Sequence, residues 1–366
     1  MLKKALVVLF LGILAFGWMR RDAIFKKTSS PQTKTTAVST SRAPVQTTAI
    51  LKNNIKKSTS IFIPYWSLPV FNISDVTSYD RLIYFGITAT KSGVNTSDAG
   101  YAGLSQYAQA ARGKNSYLTL RMLDDNVNEV VLSNPAFQET IIQDTVDLAK
   151  KHNFNGVVLD LEFVAGLDEK IPGQINDFAK AFYSAAKKQH LKLAVAVYGD
   201  NFYRKRPFDV SYLAKNSDEI IIMAYDLHKS RGEPGPNFPM GGKDTFGYDF
   251  AQMIADFSNA SPKGQLTITY GMFGYDWKVD EEKRPLKAAK ALSLKDIKKE
   301  FLGNCQWKNC LVNRDKDAAE TEVDYVEEPY QLHIVWFEDE ESVKVKTDYL
   351  QHQGIGNTAY WVYGYF

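Results

Sequence analysis

Eight short runs of apolar and β-branched residues, separated by helix-compatible stretches, constrain this chain more than any other feature. They are Ile61–Tyr65, Leu82–Ile87, Tyr117–Met122, Gly156–Glu162, Lys192–Tyr198, Glu219–Tyr225, Leu266–Met272 and Thr358–Gly364. Their near-continuous apolarity, in place of strict alternation, means that both faces of each strand are covered, as in parallel strands sheathed by helices. Amphipathic stretches such as Phe137–His152 and Ile175–His190 supply the sheath. Eight such units predict an α/β fold, a (β/α)8 TIM barrel, over residues 60–366. A doubly wound sheet competes, but no Gly-rich phosphate loop follows an early strand. The seventh and eighth runs are much further apart than the others, and so long a connection contains structure of its own. A small α+β insertion over about 277–340 is expected there, forming one wall of a cleft.

The N-terminus has a different character. Residues 1–27 contain Ala5 to Trp18, an uncharged apolar stretch bracketed by Lys3, Lys4, Arg20 and Arg21, the form of a signal peptide or N-terminal membrane anchor. At a helical rise of about 1.5 Å per residue it would cross some 21 Å of a roughly 30 Å hydrocarbon core, which suits a signal better than a stable span. Residues 28–59 hold thirteen Ser/Thr, five basic residues and no acid, and predict a flexible linker. The expected location is extracellular or in the cell envelope, secreted or tethered to the membrane through the N-terminus. Residues 1–59 carry eleven Lys/Arg and one acid; the remaining 307 residues hold 33 basic and 41 acidic side chains, a net charge of −8. An acidic body argues against nucleic acid as a partner. Two cysteines, Cys305 and Cys310, make no disulfide framework and leave open either a small local loop or two free thiols. A monomer is the default.

Within the fourth run, Asn155-Gly156-Val157-Val158-Leu159-Asp160-Leu161-Glu162, two carboxylates end an otherwise apolar strand. Residues two apart on a strand share a face, and a like-charge pair so placed pushes one carboxyl pKa upward, toward what a general acid needs near neutral pH. The competing reading is a strand running out into a polar loop. Active-site residues of a (β/α)8 barrel sit at the C-terminal ends of its strands, where Asp160 and Glu162 fall, and where Tyr225 and Asp226 follow the sixth run.

These motifs resemble those of the family 18 glycoside hydrolases, the chitinase-like enzymes, and within it the bacterial spore-germination and cell-wall branch. The family's fourth strand carries Asp-Gly-x-Asp-x-Asp-x-Glu; here Asn155 and Val158 replace the first two acids, while Gly156, Asp160 and Glu162 match. Met223-Ala224-Tyr225-Asp226 matches its Met-x-Tyr-Asp, Thr269–Trp277 resembles its seventh-strand ending, and His333–Asp339 and Ala359–Val362 resemble the end of its insertion and its eighth strand with a terminal Trp.

The resemblance implies a retaining mechanism in which the substrate's own 2-acetamido oxygen attacks the anomeric carbon, so only N-acetylated sugars qualify. It implies that Glu162 is the acid/base, that Asp160 orients the acetamido group, that Tyr225 supports the acetamido oxygen, and that Asp226 contacts the sugar or tunes the acid. Trp361 is expected as the floor beneath the reacting sugar, with Met223, Tyr65, Phe85, Tyr275 and Trp66 as further substrate-binding candidates; for the aromatic residues, ordinary packing is the alternative. No cofactor is expected. A metal site lacks support, since His152, His190, His228, His333 and His352 form no ligand pair at helical spacing, and His228 is expected to be a loop hydrogen-bonder. The expected function is an exported glycosidase cleaving β-1,4-linked N-acetylglucosamine-containing glycans, peptidoglycan or chitin-like. The alternative is a non-catalytic carbohydrate-binding lectin on the same barrel, favoured by Val158, which offers Asp160 no hydrogen bond.

Overall fold

The computed structural model describes residues 56–163 and 169–366. The signal or anchor expected at 1–27 and nearly all of the linker lie outside these residues. The strands, in chain order, are β1 (Ser58–Pro64), β2 (Arg81–Thr90), β3 (Gly93–Val94), β4 (Ser116–Met122), β5 (Gly156–Leu161), β6 (Lys192–Tyr198), β7 (Glu219–Ala224), β8 (Leu266–Gly271), β9 (Phe273–Val279), β10 (Lys290–Ser293), β11 (Lys308–Arg314), β12 (Thr321–Glu327), β13 (Gln331–Phe337) and β14 (Asn357–Trp361). The α-helices are α1 (Ala99–Ala110), α2 (Asp125–Leu132), α3 (Pro135–Lys151), α4 (Ile171–Lys188), α5 (Val210–Lys215), α6 (Lys243–Phe246), α7 (Phe250–Ala260), α8 (Leu294–Glu300) and α9 (Glu340–Gln353).

Strands β1, β2, β4, β5, β6, β7, β8 and β14 pair in parallel, and the β1–β2 and β1–β14 ladders close them into a (β/α)8 barrel. The closure explains why the runs are apolar on both faces. On β5, Val157, Leu159 and Leu161 point outward into the main core with Phe178 and Phe182 of α4, while Val158 points inward to Phe62, Ile83, Ala194, Ala196 and Ile221. The barrel starts earlier than expected, because Ser58 and Thr59, assigned above to the linker, pair with Asn357 and Thr358 of β14. A backbone ladder needs no apolar side chain, so that boundary leaves no hydropathy signal.

The two ends of the barrel are chemically distinct. At the N-terminal end, Arg81 of β2 donates to Glu219 of β7 at 2.6 Å, Thr267 of β8 donates to the same carboxylate, and the guanidinium lies 4.6 Å from the Tyr117 ring. This plug satisfies the charges it buries and leaves the opposite end for chemistry.

Between β8 and α9 the chain builds a five-stranded antiparallel sheet in the order β10-β9-β13-β12-β11, with α8 beside it. The sheet starts at Phe273, so Tyr275, Asp276 and Trp277 lie on its first strand and not on the end of the seventh barrel strand. Its polar core ties three strands together: His333 Nδ1 lies 2.7 Å from Asp276 Oδ1, and the Tyr325 hydroxyl donates to Asp276 Oδ2 at 3.0 Å. Cys305 and Cys310 form a disulfide. Between Lys308 and Leu311 the β11–β12 register shifts, with Asn309 at φ 51°.

Helix ends follow local rules. Asn134 caps α3 by accepting from Ala136 N and Phe137 N, with Pro135 next, and Asp339 with Ser342 forms a capping box on α9, which ends at Gly354 with φ 83°. Helix α1 enters at closest approach to the barrel: the Tyr84 hydroxyl donates to Gly100 O at 2.7 Å, and a Cβ on Gly100 would lie 1.8 Å from Gly86 O. Gly100→Ala must therefore push α1 off β2. A loss of about 1–3 kcal/mol, the usual cost of overpacking, is expected in urea denaturation.

Candidate active site

A cavity of about 450 Å³ opens at the C-terminal ends of the barrel strands. Of the residues singled out from the sequence, Asp160, Glu162, Tyr225, Asp226, Met223, Phe85, Trp66, Tyr275 and Trp361 all line it. Tyr65 does not. Its ring packs edge-on against Trp66 at 5.0 Å and lies 5.1 Å from the Arg121 guanidinium, behind the cavity wall.

Asp160 is the last inward-facing residue of β5 and only 5% exposed; Glu162 follows just beyond the strand. Asn128 fixes that strand end: its Nδ2 donates to Met122 O at 2.9 Å and to Glu162 O at 2.8 Å, joining β4 to the Glu162 backbone. Burial, and then the Glu162 charge, push the Asp160 carboxyl well above its ordinary range against the opposing pull of Arg121. Burial likewise raises Glu162, opposed by the hydrogen bond from Tyr198 and by the charge of Lys229. The Tyr198 hydroxyl donates to Glu162 Oε2 at 2.8 Å. Arg206 and Lys229 lie 4.5 and 5.5 Å from the Tyr198 ring, and Arg206 is held by a fork of two 2.9 Å bonds to buried Asp200. Two carboxyls in one cavity, both biased toward the protonated form, can exchange a proton with a bound group and with each other.

Asp226 leaves the end of β7 with φ 62°, a conformation uncommon outside glycine. Asn237 holds it there, accepting from Asp226 N at 2.8 Å through Oδ1 and donating through Nδ2 to Gly271 O and Phe273 O. Asn237 is itself anchored, because its backbone N donates to Glu320 Oε2 at 2.6 Å and Phe238 N donates to Glu320 Oε1 at 2.8 Å. Glu320 is paired with Lys346 of α9, which also meets Glu338, and all three side chains are fully buried. Burial, with Glu320 adding, pushes Glu338 up to about 8 although Lys346 opposes it. The Asp226 side chain accepts from the Tyr275 hydroxyl at 2.8 Å; burial raises its carboxyl and that bond opposes the rise.

The cavity floor is aromatic. Trp361 packs 4.7 Å from Phe85, 5.4 Å from Phe62 and 6.4 Å from Tyr225, where the rings are nearly parallel. Such a surface suits the apolar face of a sugar ring. The insertion closes one side through Tyr275 of β9 and Ala291, Leu292 and Ser293 of β10. His228 lies apart from the cavity, its Nδ1 2.8 Å from Pro236 O. Among the described residues no group of three His, Cys, Asp or Glu side chains is arranged to hold a metal ion.

Residues 66–365 match the family model described as glycosyl hydrolases family 18. The chain belongs to that family. The family 18 chain is 24% identical over 251 residues to the glycosylase YvbX of Bacillus subtilis, covering 66% of each chain, and 24% identical over 246 residues to the cortical fragment-lytic enzyme of Bacillus anthracis, covering 65% of this chain and 53% of that one. It thus spans about half to two thirds of these relatives' length. The solved family 18 N-acetylglucosaminidase of Paenibacillus barengoltzii shares its fold, with a TM-score of 0.73, 14% identity, and coverage of 85% of this chain and 96% of that chain.

Several residues that build the site are not among those the sequence singles out. Tyr198 and Arg121 had a signal, each being a polar or charged residue near the C-terminal end of an apolar run. Asn128, Asn237, Glu320 and Lys346 had none, since nothing local announces a partner far along the chain.

Two variants probe these supports. Lys346→Met leaves Glu320 and Glu338 buried without their cation, and a loss of about 3–5 kcal/mol is expected in thermal or denaturant unfolding. Tyr198→Phe removes the donor that favours ionised Glu162, so the Glu162 titration, followed by carboxyl-carbon NMR, moves to higher pH; no movement would deny Tyr198 that role.

Proposed function

We propose that this family 18 chain is an exported glycosidase that hydrolyses β-1,4-linked N-acetylglucosamine-containing glycans by substrate-assisted retaining catalysis. The observation that carries the reading is the pairing of Asp160 and Glu162 at the end of β5, both raised by burial, above an aromatic floor at Trp361. Glu162, protonated, gives its proton to the glycosidic oxygen as that bond breaks, while the acetamido oxygen of the sugar on Trp361 forms the new bond to the anomeric carbon. Asp160 accepts the acetamido N–H, orienting the group and stabilising the positive charge of the oxazolinium ion. Glu162 then takes a proton from the water that opens this ion, which returns the acid and retains the configuration. Tyr225 stands over the acetamido oxygen, and Asp226, held by Tyr275, contacts the sugar on the opposite side. No cofactor enters this scheme.

Peptidoglycan is favoured over a chitin-like polymer as the glycan. The support is the similarity to the cortical fragment-lytic enzyme together with an N-terminus of export form. Both the cell-envelope location and any membrane tether through residues 1–27 belong to this proposal.

One observation favours a second reading, a carbohydrate-binding lectin. Val158 is fully buried among apolar side chains and gives Asp160 no proton partner from below. The full chain and Glu162→Gln, assayed side by side on a soluble N-acetylglucosamine oligomer with binding followed in both, separate the two. The glycosidase requires that turnover falls about 10²–10⁴-fold in the variant while sugar binding persists. Equal binding with no turnover in either protein would leave the lectin.

A further inference from the structure

The cavity wall beside Asp160 holds an arginine that the scheme above does not use. Arg121 of β4 is the cross-strand partner of Asp160 in the parallel β4–β5 ladder, and it lines the same cavity. Its Nε and Nη1 are buried without a hydrogen-bond partner, and so is Asp160 Oδ1. Unpaired buried polar atoms are costly, and the two sets of opposite charge stand at one end of one cavity. The guanidinium is fixed in orientation without spending an N–H, lying 5.0 Å from the Phe85 ring and 5.1 Å from the Tyr65 ring. Below Asp160, Val158 is packed against Ala194, Ala196 and Ile221 and can neither donate nor accept.

We propose that Arg121 is a positioning residue for Asp160, supplying from β4 the charged partner that Val158 cannot supply from β5. The inference rests on the glycosidase reading and deepens it, by saying how a site lacking the usual acid beneath Asp160 divides one proton between two carboxyls. The groups facing Asp160 are Arg121 from β4, Glu162 from just beyond the end of β5, Tyr198 from the end of β6 and Tyr225 after β7. Glu162 is of like sign and the two tyrosines are neutral, so Arg121 is the group in this set that favours the Asp160 carboxylate. Arg121 pulls against the burial that favours protonated Asp160, and so shifts the shared proton toward Glu162, where the reaction needs it and where Tyr198, Lys229 and Arg206 pull the other way and Asp226 adds to the rise. Tyr65 thereby gains a role different from the sugar contact expected of it, as one face of the slot that holds the guanidinium.

Carboxyl-carbon NMR titration of Asp160 and Glu162 in the full chain tests this without relying on turnover. In Arg121→Met the Asp160 midpoint is expected to rise by about 1–3 pH units, the range for losing a neighbouring opposite charge, and Arg121→Lys is expected to keep most of the wild-type value. If Arg121→Met fails to fold, Arg121→Gln takes its place. In turnover of the N-acetylglucosamine oligomer, the acid limb of kcat/KM moves to higher pH by the same amount in the neutral variant. An Asp160 titration unmoved in a folded neutral variant would overturn the proposal. So would a uniform fall in kcat at every pH, or a rise in KM confined to anionic glycans, which would make Arg121 a reader of substrate charge. A wild-type chain without turnover would sink the glycosidase reading alone, because the titration still reports on Arg121.

Discussion

Closure of eight parallel strands into a barrel removes water from both faces of every strand, and the site's chemistry follows from that exclusion. A residue on β5 faces either the helical sheath, as Leu159 does, or the barrel interior, as Asp160 does, and neither environment solvates a charge. A carboxyl placed at an inward position near the strand end is therefore desolvated by the architecture itself. The same exclusion forces every charge in the barrel to find a partner. Arg81 and Glu219 pair at one end, whereas at the other the partners are left incomplete on Asp160 and Arg121. Buried atoms of an acid and a cation, left without hydrogen-bond partners on one cavity wall, distinguish this end from the one where Arg81 and Glu219 are paired.

The insertion is more than a wall. Glu320, where the chain approaches β12, carries the load between α9 and the loop after β7: it takes Lys346 on one side and the backbone of Asn237 and Phe238 on the other. Asn237 in turn sets the backbone of Asp226. Tyr275, on the first strand of the same sheet, fixes the Asp226 side chain. Backbone and side chain of one residue are thus positioned from a sheet that lies outside the barrel. A buried cation between two carboxylates is an expensive way to join elements, and its merit is directional: Lys346 must meet Glu320 and Glu338 at once, which fixes α9 against the loop after β7.

Much of this was legible in the sequence because it is local. A buried parallel strand writes itself as a continuous apolar run, and a polar residue at the end of such a run stands out, as Asp160, Glu162, Tyr225 and Asp226 do. Boundaries were less legible where backbone pairing continues through polar residues, as at Ser58 and Thr59. Tyr275 lines the cavity from a different element than expected, since a single residue, Met272, separates β8 from β9 and no polar turn marks the break. Tyr65 and Trp66 were both expected to line the site on type and position, and only Trp66 turns into the cavity. Asn237 and Glu320 meet across 83 residues of chain, and neither has a neighbour in sequence that hints at the other. Contacts of that kind exist only once the fold brings them together.

The five-stranded sheet, unlike the barrel, has edges, and β11 is one of them. Leu311 and Val312 are 67% and 49% exposed there, an arrangement that could template pairing with a second chain. The register shift between Lys308 and Leu311 breaks the run of hydrogen-bonding groups that an incoming strand would need, and the Cys305–Cys310 bridge pins the backbone at that irregularity. At the ends of the strand Lys308 is paired with Glu328, and Arg314 with Asp339 and Glu341. The sheet therefore limits strand addition at β11, the edge on which Leu311 and Val312 are exposed.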